Sequence, residues 1–214
     1  MHRNPSFPSS RAERSVLTSR GAGLRHRMAG LALVCAAALC GEHGLLPQAR
    51  AESAASNAVL ERRVKAAFLY KFLGYAEFPP GAFADASSPV VIGVVGADDL
   101  ANVLAHIVSG RTVNNRAIVV RVLRDAELAT PVHLLFIGGL DAARVGRVVR
   151  AAGGALLVVT ECEGGLRQGS AINFRVVDER VRFDVALDAA ERNGIRLSSR
   201  LLTVANHVQK GAQQ

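Results

Sequence analysis

Residues 90–100 read VVIGVVGADDL, and they set the architecture. Val90–Val95 is strand-sized and apolar on both faces, which suits the middle of a sheet. Gly96 supplies a tight turn, and Asp98 or Asp99 suits a helix N-terminus. Leu100, Val103, Leu104, Ile107 and Val108 then recur at helical spacing before Gly110 stops the run. A strand that turns through glycine into a helix is the opening of a βαβ unit. The turn lacks GxGxxG, and no GxxxxGK[ST] occurs, so it reads as a tight turn rather than a phosphate cradle.

The rhythm continues downstream. Arg111–Asn115 is a turn-rich link, Ala117–Leu123 a strand, and His133–Ile137 another strand ending at Gly138-Gly139. Asp141–Ala152 reads as a helix with Asp141 as N-cap and glycines beyond its end. Ala155–Val159 is a fourth strand. The period then changes. Ile172, Phe174 and Val176 alternate with their neighbours, Asp178-Glu179-Arg180 turns the chain, and Val181, Phe183 and Val185 alternate again. That is an antiparallel hairpin with one apolar face. A short helix follows at Leu187–Arg192. A last helix is expected from Ser198 or Ser199, carrying Leu201, Leu202, Val204, Ala205 and Val208. The fold class is α/β, a single domain with a mostly parallel sheet, helices on both faces and a C-terminal antiparallel hairpin.

Upstream, residues 64–80 read VKAAFLYKFLGYAEFPP and hold five of the ten aromatic residues. Leu60, Val64, Phe68, Phe72 and Tyr75 keep helical spacing, widened by Ala67, Leu69, Leu73 and Ala76. Glu61, Arg62, Arg63, Lys65 and Lys71 are assigned to the polar side, and Pro79-Pro80-Gly81 to the helix end. Phe68, Leu69 and Phe72 are expected in the core. The apolar arc is too broad for a helix lying on a membrane surface. Tyr70 and Tyr75 are candidates for a contact surface, because tyrosine joins an apolar body to a hydrogen-bonding tip.

The chain has 214 residues, 50% hydrophobic and 21% charged, which suits a globular domain. Its net charge of +8 is uneven. Residues 1–51 hold seven bases against two acids, and the remainder is nearly balanced. A nucleic-acid partner therefore loses its main support. Arg20, Arg25 and Arg27 precede the apolar run Leu31–Leu39, and Ala49-Arg50-Ala51 is a small-x-small cleavage site. Together they read as a secretory signal peptide over residues 1–51, followed by a small polar linker (52–58), a domain (59–208) and a polar tail (209–214). The apolar run is shorter than the ~20 residues a membrane span needs, so no direct membrane insertion is expected. The mature protein is expected in the periplasm.

Three cysteines occur, and only Cys162 follows the leader, so no internal disulfide is expected. His106, His133 and His207 sit in separate elements without metal-ligand spacing, and His133 reads as a core histidine. Glu161 and Glu163 follow the fourth strand, where α/β proteins place functional groups. A hydrolase site there requires His133 to join them. No GxSxG elbow occurs, and neither catalytic residues nor a cofactor is assigned.

The ordered set of segments resembles the YfiR-like periplasmic proteins. VKAAFLYKFLGYAEFPP is similar to their opening helix. IGVVG, GRTVNNRAIVVRVL, HLLFIGGL and GALLVVTE follow in their order, and GSAINFRVVDERVRFDVALDAAERNGIRLSSRLLTVA is similar to their C-terminal part. The resemblance spans residues 59–208. It implies a non-enzymatic regulator that represses a membrane-bound diguanylate cyclase by binding its periplasmic sensor part, lowering cyclic di-GMP and biofilm formation. Other members accompany sensor kinases or outer-membrane receptors. Members often carry a cysteine before the HLLFI-type strand, and here Pro131-Val132 stands there. Redox control through an internal disulfide is therefore not expected.

The expected partner is an inner-membrane diguanylate cyclase or sensor kinase with a periplasmic domain. Tyr70, Tyr75 and Arg200 are the candidate contact residues, and homodimer formation stays open. The competing reading is a periplasmic small-solute binding or sensing protein, using the strand ends near Gly96 and Glu161.

Overall fold

The computed structural model describes residues 46–211. The basic approach and apolar run of the expected signal peptide lie outside the described residues. Helix α1 spans Leu46–Leu73. It runs through residues 52–58, where a linker was expected; Ala51, Ala54, Ala55 and Ala58 favour helix and no proline or glycine intervenes.

Ten strands follow. They are β1 (Ala76–Glu77), β2 (Val90–Val95), β3 (Thr112–Val113), β4 (Arg116–Val122), β5 (Leu134–Ile137), β6 (Leu157–Thr160), β7 (Ile172–Val177), β8 (Arg180–Ala186), β9 (Arg196–Leu197) and β10 (His207–Gln209). Four further helices are α2 (Asp98–Val108), α3 (Ala142–Ala151), α4 (Leu187–Arg192) and α5 (Ser199–Val204). The main sheet has the order β10-β8-β7-β6-β5-β2-β4-β3. Strands β4, β2, β5, β6 and β7 are mutually parallel, β7 and β8 form the antiparallel hairpin, and β10 returns parallel to β8. The expected α/β class and C-terminal hairpin are both present.

All six residues of β2 are buried, as a strand covered on both faces requires. One face packs against α1, α2, α4 and α5 through Leu69, Phe72, Leu104, Phe136, Phe174, Phe183 and Leu201. The opposite face is covered by α3 through Val145 and Val148, which meet Val95, Leu135, Ile137 and Val158. Asp141 caps α3, accepting from the backbone N–H groups of Ala143 and Arg144. On the first face, Phe72 stacks on Phe174 at 5.7 Å and meets Phe183 edge-on at 5.0 Å. Phe68 joins the same cluster, which fills the centre of the domain.

Three expectations need correction. Helix α1 ends at Leu73, before the prolines. Gly74 closes the last turn, and the next residues pair as β1 with β9 instead of continuing the helix. Its buried side is also rotated: Leu60 is 61% exposed, while Lys65 is buried at 8%. The last helix stops at Val204. The Asn206 backbone N–H then bonds to the Phe183 carbonyl and its side chain to Asp184, which draws Val208 and Gln209 into β10.

Two tight turns use left-handed backbone at non-glycine residues. Asn114-Asn115 joins β3 to β4, and Asp178-Glu179 joins β7 to β8. Both match the turn in which two central residues have positive φ, as the twist of a two-residue hairpin demands.

Candidate functional site

Strands β2 and β5 are neighbours, but their chains leave in opposite directions. β2 feeds α2 and then β4, while β5 feeds α3 and then β6. This is a topological switch point, and the crevice outside the carboxyl ends of such strands is the habitual ligand position of open α/β sheets. Here a cleft of about 420 Å³ is lined by Glu61, Arg62, Lys65, Gly96, Ala97 and Glu161, among others.

Its centre is Lys65. The ammonium donates to Glu161 Oε2 at 2.7 Å and to Glu61 Oε1, one helical turn earlier. The second Glu161 oxygen accepts from the Gly139 backbone N–H at 2.8 Å. Burial alone would lower the Lys65 pKa, but the hydrogen bonds and charges of Glu161 and Glu61 outweigh it and hold the pKa above 10.5. The ammonium thus stays charged inside the domain because two carboxylates accompany it. Gly96 has φ +70°, and a Cβ there would approach Arg144 Nη1 at 2.9 Å and the Gly138 carbonyl at 3.2 Å. The glycine is therefore required by its turn, and the Gly138 carbonyl leaves little room beside it.

His133 lies at the other end of the sheet, just before β5. Its Nδ1 accepts from the Val91 N–H at 3.0 Å, its Nε2 donates to the Ala82 carbonyl at 3.0 Å, and its ring stacks on Phe83 at 4.3 Å. Burial pushes its pKa below 6.5, helped by the charge of Arg116 and opposed by the two backbone bonds. It is a satisfied core histidine that anchors the segment before β2. Glu161 and His133 therefore occupy opposite strand ends, and Glu163 is exposed, so a hydrolase site joining the three has no basis. Cys162 is buried against the α3 face, and burial raises its thiol pKa.

The candidate contact residues separate into two places. Tyr75 directly precedes β1, and its carbonyl accepts from the Ser198 N–H at 2.9 Å. Arg200 is exposed in α5, two residues beyond Ser198. The β1–β9 ladder therefore brings the Tyr75 and Arg200 segments side by side. Tyr70 is half-buried on α1, with the Arg111 guanidinium 5.3 Å above its ring. Val204, 62% exposed, adds an apolar group to α5.

Sequence reasoning missed Lys65. Its one local signal was Glu61 at the i−4 position, which fits an exposed helix pair equally well. The partner that makes it a buried centre is 96 residues away. Among the described residues, no helix is long and apolar enough to cross a membrane, and no group of three His, Cys, Asp or Glu side chains is placed to hold a metal.

No match was found among curated proteins. A family model described as YfiR/HmsC-like matches residues 62–206, from the charged centre of α1 to the residue before β10. That span includes every strand of the parallel sheet core, the hairpin and the β1–β9 ladder, and on this basis the chain belongs to the YfiR/HmsC-like family.

Proposed function

We propose that this protein is an exported, non-enzymatic regulator that binds the periplasmic sensor part of an inner-membrane diguanylate cyclase and restrains it, lowering cyclic di-GMP and biofilm formation. Family membership over residues 62–206 carries the reading. The signal-peptide pattern of residues 1–51 supports a periplasmic location. Tyr75 and Arg200, presented on adjoining segments beside the exposed Val204, form the proposed contact patch, and Tyr70, on α1 beneath Arg111, is a separate candidate contact. An amphipathic tyrosine, a guanidinium and an exposed valine together suit a protein interface.

The test uses the tagged full-length chain exported in its parent cell, crosslinked and captured from solubilised inner membrane. Recovery of a diguanylate cyclase with a periplasmic domain is expected, together with higher cyclic di-GMP when the regulator is deleted. Recovery of a sensor kinase instead would keep the regulatory reading and change the enzyme restrained. Capture of neither, with the bait folded, overturns it.

The 420 Å³ cleft around Lys65 supports a second reading, in which the protein senses a small solute at the switch point. A solute that raises the melting temperature of the wild-type protein but not of Lys65→Met would favour it.

A further inference from the structure

The hairpin carries charge that the fold itself does not answer. Its register sets Asn173 opposite Asp184, Arg175 opposite Arg182, and Val177 opposite Arg180. Opposed residues share a face of a sheet, and so do alternate residues along a strand. One face of the β7–β8 arm therefore bears three guanidinium groups, all on exposed residues. Like charges directly opposed across a ladder disfavour the pairing that creates them. The nearest acid offsets little of this. Asp184 is buried, accepts from Asn206 Nδ2 at 2.8 Å, and meets Arg175 only at 3.4 Å. Neither Arg180 nor Arg182 has an ion-pair partner among the described residues.

The same face runs into a second cleft of about 490 Å³, lined by Glu163, Arg167, Asn173, Arg175 and Asp184, among others. It exists because β6 stops at Thr160 while β7 continues to Val177. The last β6–β7 pair is Thr160 with Asn173. Asn173 lies in this notch. It is 5% exposed, its Oδ1 accepts from Thr160 Oγ1 at 2.7 Å, and its Nδ2 has no acceptor among the described residues. Asn173 lines the notch, so this donor is free to bond to a group that enters it.

We propose that this notch binds the phosphate group of a small soluble phosphate ester. Asn173 Nδ2 donates from the floor, while Arg175 and Arg167 donate from the walls. Arg182, directly across from Arg175 and outside the cleft lining, adds a third positive charge nearby, and Arg180 extends the row. A carboxylate is planar and is satisfied by one guanidinium fork. A phosphate monoester has three strong acceptor oxygens and nearly two negative charges, which matches paired arginines and an amide converging from different directions. The depth of Asn173 selects a single small group over a bilayer surface, which cannot reach the floor of a notch. Of the acids lining the notch, Glu161 is held by Lys65 and Asp184 by Asn206 and Arg175, while Glu163 at the exposed rim disfavours ligands carrying negative charge beyond the phosphate.

The test is a thermal shift titration of the purified protein with glycerol 3-phosphate, against sodium chloride at matched ionic strength. A rise of about 2 °C or more at millimolar ester, absent with chloride, is expected from selective binding to the folded state. Arg175→Gln with Arg182→Gln should weaken the response at least about tenfold, and so should Asn173→Asp, which exchanges the donor for an oxygen of the same shape. Arg182→Gln alone should raise the melting temperature in chloride buffer, because it removes one of two opposed like charges. The proposal is overturned by an equal rise with chloride, by no rise at all, by a response that both variants keep, or by binding seen only with phosphatidylglycerol vesicles.

Discussion

Lys65 and Glu161 are 96 residues apart and meet at 2.7 Å, joining the first helix to the carboxyl end of a central strand. The Lys65 side chain is 10% exposed and that of Glu161 18%. Removing one partner strands a charge in a desolvated place, which costs more than the pair contributes. Lys65→Met is expected to lower stability by about 2–3 kcal/mol, at the low end for a buried pair because Glu161 keeps some solvent. Lys65→Met with Glu161→Leu should recover much of that loss. Urea unfolding of the two variants measures it. Because the folded pKa of Lys65 is raised, its contribution is full below 10.5 and fades as pH climbs through the folded value.

His133 gives the opposite sign. Its folded pKa lies below 6.5, so the unfolded chain binds a proton first as pH falls. The stability it supports is present above pH 6.5 and declines as pH drops toward the folded value. Unfolding free energies between pH 7.5 and about pH 5 should show this slope, and His133→Asn should flatten it while lowering stability at neutral pH. An unchanged slope in the variant would mean that other groups carry the dependence.

The aromatic cluster predicts a large loss. Phe72 is fully buried and touches Phe68, Phe174 and Phe183. Phe72→Ala should cost about 3–5 kcal/mol, since the surrounding rings on helix and sheet cannot all collapse into the space. A loss under about 1 kcal/mol would show that the site repacks freely.

Two glycines make a matched pair. A Cβ on Gly165 would sit 2.3 Å from both Asn173 Oδ1 and Thr160 Oγ1, whereas one on Gly153 meets nothing within 4 Å. Gly165→Ala should destabilise by about 2 kcal/mol or more, by forcing apart a buried hydrogen-bond network. Gly153→Ala should stay within about 0.5 kcal/mol of wild type. Thermal unfolding of both variants distinguishes local crowding from a general intolerance of alanine.

Cys162 should be chemically quiet. It is 1% exposed and its thiol pKa is raised by burial. An aromatic disulfide reagent at pH 8 should label it slowly in the native protein and rapidly in denaturant. Fast native labelling would place the thiol nearer solvent than its packing against the α3 face allows.

Much of this architecture was legible because it is written in local pattern. The β2 run, the Gly96 turn, the Asp141 cap and the alternation of the hairpin each satisfy a rule within a few residues. The failures are of one kind. Lys65 looked exposed because its neighbours Arg62 and Arg63 are polar, and only Glu161, from a distant strand, makes burial tolerable. Tyr75-Ala76-Glu77 continued an apolar helical spacing, yet pairing with Arg196-Leu197 converted it to strand. Val208 fitted the helical stripe of α5 until Asn206 found Phe183 and Asp184. Of the candidate contacts, Arg200 was readable as exposed, but its adjacency to Tyr75 exists only through the β1–β9 ladder. The second cleft was invisible in sequence, since it arises from one strand ending before its neighbour.

The packing of Phe72 against Phe174 and Phe183 also dictates an order of events. The chain is delivered N-terminus first, whether from a ribosome or through a translocation channel. Helix α1 then emerges with its aromatic side facing nothing. Its partners lie about a hundred residues further on, so the core cannot close until nearly the whole domain has arrived. Such a chain stays unfolded during passage and then completes itself at once, the behaviour that a narrow channel requires of its cargo. The same delay leaves an apolar helix in search of company, which makes α1 the segment a holding chaperone would grip.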